Sequence, residues 1–156
     1  MATGYDISDV RLARRPTAVM RGEMRASKVP MWLANCYRTV HEYLRSVAME
    51  PAGPPFARFT FLGEDMAVEA GFPCPREIDG DGRVEPSVLP EGQAAVTSHF
   101  GRYEDLEVAY RAMQSWLRAR GYAEAGPHWE VYFADPQADP DPRHWRTDVV
   151  MPYRAA

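Results

Sequence analysis

Tyr37, Arg38, Leu44 and Arg45 recur as Tyr110, Arg111, Leu117 and Arg118, each 73 positions further on. The same offset carries Ala52-Gly53-Pro54 onto Ala125-Gly126-Pro127, and it sets Phe56 against Trp129 and Phe59 against Tyr132. Seven identities in one ungapped register mark an internal duplication. The chain must therefore fold as one supersecondary unit used twice.

The repeated unit can be read from its apolar periodicity. Val29, Trp32, Cys36, Val40, Tyr43, Leu44 and Val47 form one helical stripe, and Leu106, Ala109, Tyr110, Met113, Trp116 and Leu117 form a second. Pro30 suits a first helical turn, where a missing N–H costs nothing, and Gly121 suits a left-handed cap after the second helix. Strand-like runs precede the helices at Thr17–Arg21 and Gln93–Phe100. Two more follow each helix, Phe56–Leu62 with Met66–Ala70 and Trp129–Ala134 with Thr147–Met151. The fold class is thus α+β, a duplicated β-α-β-β unit in a single domain of 156 residues, with halves at about 10–72 and 91–153. Helices on one face of a curved antiparallel sheet would leave the opposite faces turned toward a central ligand cleft between two pseudo-symmetric halves. The segments Pro73–Pro90 and Asp135–Pro142 read as loops, rich in Pro, Asp and Gly.

Composition narrows the function. A net charge of −4, with arginines interspersed among acids, gives no basic stripe for nucleic acid and no acidic run for mimicry of it. No stretch approaches the ~20 apolar residues of a membrane span, and residues 1–15 hold no signal-peptide core, so a cytoplasmic protein is expected. Cys36 and Cys74 have no second pair at zinc spacing and read as structural thiols. Asp79-Gly80-Asp81-Gly82 resembles the start of a calcium loop, but Arg83 and Pro90 stand where that loop needs oxygen ligands, so a turn is expected. Neither a metal nor a cofactor is expected.

Duplicated units diverge where function breaks their symmetry, and the costliest divergence is Ala57 against Glu130. The two-residue period of a strand sets His128, Glu130 and Tyr132 on one side and Trp129, Val131 and Phe133 on the other. The second set is assigned to the core and the first to the cleft, opposite Ala57, Phe59 and Phe61. A carboxylate on such an aromatic surface is poorly solvated and seeks a cation or a donor. Tyr132, Phe59 and Trp32 would add stacking and cation–π attraction for flat, apolar or cationic molecules. The competing structural reading pairs Glu130 with Arg58 or Arg146, treats His128 as a structural histidine, and places Trp32 and Tyr37 in the core.

The run His99-Phe100-Gly101-Arg102-Tyr103-Glu104-Asp105-Leu106, the exit Gly126-Pro127, and the strand Glu130-x-Tyr132 followed by Asp135-Pro136 resemble the GyrI-like family, which includes the effector-binding domains of BmrR-type multidrug-responsive regulators. Trp145–Pro152 and Met66–Pro73 fit the closing strands of that family's halves. The resemblance implies a cleft for hydrophobic, often cationic compounds with Glu130 as its polar anchor. No helix-turn-helix segment fits before Arg15, so a stand-alone form is expected and not a transcription factor. Three functions follow as expectations. The first is binding or sequestration of a drug or toxin, in xenobiotic or self-resistance. The second is hydrolysis of cyclopropane-containing DNA-alkylating natural products, with Glu130 positioning a water and Tyr132 donating to oxygen. The third is an inhibitory interaction with gyrase.

Overall fold

The computed structural model describes residues 4–133 and 138–156. Its contacts divide into two compact units. One is Ala13–Glu91, and the other is Gly92–Ala156 together with β1 (Ile7–Leu12).

The first unit runs through β2 (Arg15–Arg25), a 3-10 turn, α1 (Val29–Ser46), β3 (Phe56–Leu62), β4 (Asp65–Pro73) and β5 (Glu85–Leu89). Its strands lie in the order β3-β4-β2-β5, all antiparallel. Helix α1 packs on β4 and β2 and buries Val29, Cys36, Val40 and Leu44, the spacing of one helical stripe. The Cys36 thiol donates to the Ala70 carbonyl at 3.3 Å. Burial pushes that thiol up to about 12, in keeping with an inert structural cysteine. Gly71 permits the close approach of β4 to β2, because a Cβ there would lie 1.8 Å from the Ala18 carbonyl oxygen.

The second unit adds β6 (Gly92–Phe100), a 3-10 turn at Tyr103–Asp105, α2 (Leu106–Ala119), β7 (Tyr122–Glu124), β8 (Trp129–Tyr132) and β9 (Arg146–Ala155). The order is β1-β6-β9-β8, again antiparallel, with β7 on the far end of β9. Leu106, Ala109, Met113 and Leu117 of α2 close over Ala95, Val149 and Met151 of the sheet.

The elements expected from periodicity are present, and the α+β class holds. The differences lie where the pattern is weak. Pro73–Pro90 is not all loop, since Glu85–Leu89 pairs with Arg15–Val19 as β5. Pro86 hides this strand, although a proline is tolerated on such an edge. Ile7–Leu12 pairs with Thr97–Gly92, so residues 7–12 belong with the second half, and the first begins at β2. Asp81 does make a turn, its side chain accepting from the amides of Arg83 and Val84 at 3.0 and 2.8 Å. Ala134, Asp135 and Pro136 lie outside the described residues. After them, Pro142–His144 forms a 3-10 turn.

The two helices end differently. Ala48 takes φ +54°, and Ala48 N–H and Met49 N–H donate to the carbonyls of Arg45 and Leu44 at 3.1 and 2.9 Å, a Schellman cap. The position 73 residues on is Gly121, with φ +70°. The left-handed conformation costs an L-residue ~1 kcal/mol that glycine does not spend. Ala48→Gly is therefore expected to raise unfolding stability by roughly 0.5–1 kcal/mol, read from the urea midpoint at constant m-value. An unchanged or lower midpoint would show that the cap is not strained.

Candidate functional site

The pairing of β8 with β9 decides where Glu130 points. Glu130 stands opposite Val149 and Tyr132 opposite Thr147. Val149 belongs to the core beneath α2, so Glu130 and Tyr132 project onto the helix-bearing face of their sheet. This corrects the expectation of a site on the face away from the helices. Strand alternation grouped the residues correctly, but only the register across β9 shows which group meets α2.

On that face Glu130 is 9% exposed, and its carboxyl is held by two phenols. The Tyr132 hydroxyl donates to Oε1 at 2.8 Å, and the Tyr110 hydroxyl, reaching down from α2, donates to Oε2. Burial raises the Glu130 carboxyl above the ordinary glutamate range, and the bonds from Tyr110 and Tyr132, with the field of His99, only partly offset it. The same burial, with the adjacent carboxyl charge, drives the Tyr110 phenol well above its usual range.

Aromatic rings pack around the pair. Tyr110 meets His128 edge-on at 4.8 Å, and burial pushes the His128 imidazole below its ordinary value, favouring the neutral ring. Tyr103 meets Tyr132 edge-on at 6.1 Å and stacks on Trp145 at 5.5 Å. The Trp145 indole N–H is anchored on the Asp139 carbonyl at 2.6 Å. His99 is buried close by, with Nδ1 2.8 Å from the Tyr5 hydroxyl and Nε2 3.0 Å from the Arg102 carbonyl. A carbonyl only accepts, so Nε2 carries a proton and, in the neutral ring, Tyr5 donates to Nδ1.

Of the residues anticipated for the site, Glu130, Tyr132 and His128 are thus brought together, with Tyr110 as their common neighbour. Ala57, Phe59, Phe61 and Trp32 belong to the other unit. Ala57 and Phe59 are buried in β3, Phe61 near its end is 67% exposed, and Trp32 lies half-buried with its indole over Gly22. Phe133, assigned to the core, is 46% exposed instead, with the Arg146 guanidinium 4.1 Å above its ring. The alternation continues there, with Phe133 N–H donating to the Arg146 carbonyl at 3.1 Å, but it sets Phe133 with Val131 on the face away from α2, which leaves the ring exposed. The proposed arginine partners of Glu130 have other acids: Arg146 pairs with Asp148 at 3.0 Å, and Arg58 with Glu69 at 3.5 Å.

Tyr110, Tyr103, Trp145 and His99 were missed as site residues. A signal existed for Tyr110, since a polar-tipped aromatic repeated at both Tyr37 and Tyr110 suggests a shared hydrogen-bonding task. Among the described residues no group of His, Cys, Asp and Glu is arranged to hold a metal, and no helix is long and apolar enough to cross a membrane.

An antiparallel sheet with a helix on one face, carrying a buried acid among aromatic rings, defines an α+β domain with a polar group set into an apolar surface. The GyrI-like small molecule binding domain matches residues 35–154, well over half of the chain, and the chain belongs to that family. No protein of curated function matches the sequence. Among solved structures, the EcmrR C-terminal domain is similar with a TM-score of 0.85 at 17% identity, over 97% of this chain and 99% of that one. In the EcmrR–DNA complex the TM-score is 0.84 at 17% identity over 99% of this chain, which spans only 59% of the EcmrR chain. A hydrolase from Listeria innocua (TM-score 0.69, 12% identity, 95% of this chain and 91% of that one) and SAV2435 bound to tetraphenylphosphonium (0.62, 10%, 96% and 94%) share the fold.

The raised Glu130 carboxyl has a consequence for stability. A folded-state value above the unfolded one means that the native protein binds the extra proton, so stability falls as pH rises from the ordinary glutamate range through the folded value. Glu130→Gln removes this loss. The stability of the variant relative to the parent is therefore expected to increase between about pH 4 and pH 8, measured by urea unfolding at both. His128 titrates in both proteins, and its contribution cancels. A pH-independent difference would show that Glu130 titrates normally.

Proposed function

We propose that this protein binds bulky hydrophobic, planar or cationic small molecules at the Glu130 site and acts in the cytoplasm in xenobiotic or self-resistance. The observation that carries this reading is the Glu130 carboxyl itself. It is buried, and among the described residues it has hydroxyl donors but no basic side chain as partner. Removing a carboxylate from water costs several kcal/mol unless a counter-charge is supplied, and a bound cation supplies it. The rings of Tyr103, Tyr110, Tyr132 and Trp145 suit the apolar body of such a ligand. The shared fold of SAV2435, solved with tetraphenylphosphonium, supports the choice of that cation as a probe.

Tetraphenylphosphonium is expected to quench the tryptophan fluorescence of the parent saturably, and Glu130→Gln to weaken its affinity about 10- to 100-fold, ~1.4 to ~2.8 kcal/mol. The neutral analogue triphenylphosphine oxide should lose little between the two. Equal affinity of parent and variant for the cation would refute the role of Glu130.

A second reading is hydrolysis. A carboxyl of raised proton affinity beside the Tyr132 hydroxyl at 2.8 Å is a base and donor pair suited to activating water against a strained electrophile. The fold shared with a hydrolase from Listeria innocua supports it by analogy. Incubation with a cyclopropane-bearing alkylator should then yield a product heavier by one water. That gain should vanish in Glu130→Ala with its circular dichroism intact, and an unchanged compound mass with the parent would reject this reading.

A further inference from the structure

We propose that the site takes up a cation by exchange, the ligand displacing a proton from Glu130, so that binding and proton release are one event. This inference rests on the binding reading above and specifies its regulation. In balanced form the neutral acid and a free cation give a carboxylate paired with the bound cation, plus one proton delivered to solvent.

The geometry argues for exchange at each position around the carboxyl. From α2 comes Tyr110, from β8 Tyr132, and from the segment before β8 His128, whose ring lies edge-on to Tyr110. From β9, Thr147 and Val149 share the face, and the Thr147 hydroxyl is buried without a hydrogen-bond partner among the described residues. From β6 comes His99, occupied by the Tyr5 hydroxyl and the Arg102 carbonyl, while Tyr103 and Trp145 close the side at Tyr132. The nearest arginine on β9, Arg146, lies on the opposite face and is neutralised by Asp148. Among the described residues no group therefore supplies a positive charge in direct contact, and His99 acts on the carboxyl only through its field.

Each carboxyl oxygen has a phenol oxygen within hydrogen-bonding reach, so in the ionised form both oxygens accept phenolic hydrogens. That form is well hydrogen-bonded but, among the described residues, has no counter-charge in contact with it. In the empty site burial shifts the carboxyl toward its acid form, in which one oxygen carries a proton that it can donate to a phenol oxygen. A cation reverses the balance by Coulomb attraction in a poorly screened environment, and the phenols are already placed to receive the charge.

The test is calorimetric titration of the intact protein with tetraphenylphosphonium, a permanent cation that carries no titratable proton, from about pH 4.5 to 8 in buffers of different ionisation enthalpy. The expected result is affinity rising up to tenfold per pH unit through the lower part of the range, then levelling, with up to one proton released per ligand where it rises. Tyr132→Phe removes one donor from the carboxylate and should shift the levelling point to higher pH, an effect that lost packing alone would not produce. His128→Gln should leave the proton count unchanged. Affinity that is flat in pH, or release that disappears with His128→Gln, would overturn the exchange. Should Glu130→Gln nevertheless weaken the ligand, the binding reading survives without it. Should Glu130→Gln bind as the parent does, both fall.

Discussion

A carboxyl group taken out of water inside a small protein requires compensation, and the second half of this chain is arranged around that need at Glu130. Its two oxygens accept from phenols on different elements, Tyr110 on the helix and Tyr132 on the same strand. Charge-assisted bonds of this kind are about twice as strong as neutral ones, yet burial still leaves the carboxyl with a higher proton affinity than an ordinary glutamate. The helix, the β8–β9 register and the aromatic packing at Tyr103 and Trp145 all bear on one polar group. Such a group is poorly explained by stability, because an apolar side chain of similar size would pack there at less cost.

The related positions of the first half show what the structure does without it. Tyr37, 73 positions before Tyr110, donates to the Phe56 carbonyl at 2.9 Å. Where the second half has Glu130 and Tyr132, the first has Ala57 and Phe59, so the acceptor and one of its donors are missing together. The tyrosine then satisfies its hydroxyl on the backbone. Other polar positions are kept: Arg58 faces Glu69 across β3 and β4, while Val131, 73 positions beyond Arg58, faces Asp148 across β8 and β9. Glu69 gathers Arg21, Arg58 and Ser87, and Asp148 gathers Ser98 and Arg146. The acid on the face away from the helix is thus common to both halves, and the acid on the helix face belongs to one.

Membership of the GyrI-like family agrees with this division. Solved structures of 10 to 17% identity share the fold, so its requirements rest on pattern more than on particular side chains: two amphipathic helices, small residues such as Ala94, Ala95 and Gly71 where backbones or a helix approach closely, and alternating strands. Such a scaffold leaves its few buried polar positions open to specialisation.

By itself the sequence determined the α+β class, the repeated order of elements, the two helical stripes and the grouping of His128, Glu130 and Tyr132, because periodicity and self-similarity are local properties of a chain. It also singled out Glu130, since a charge inside an apolar strand is visible without any structure. The pairing of Ile7–Leu12 with β6 and of Glu85–Leu89 with β2 was not legible, as partner choice for short edge strands depends on distant residues. Phe133 was misassigned because a strand's period says nothing of which of its two faces a helix covers. The partners of Glu130 were decided only in three dimensions. Tyr110 lies 20 residues away in the chain, and whether it meets the carboxyl depends on which sheet face α2 covers, a fact that exists only once β8 and β9 have set their register.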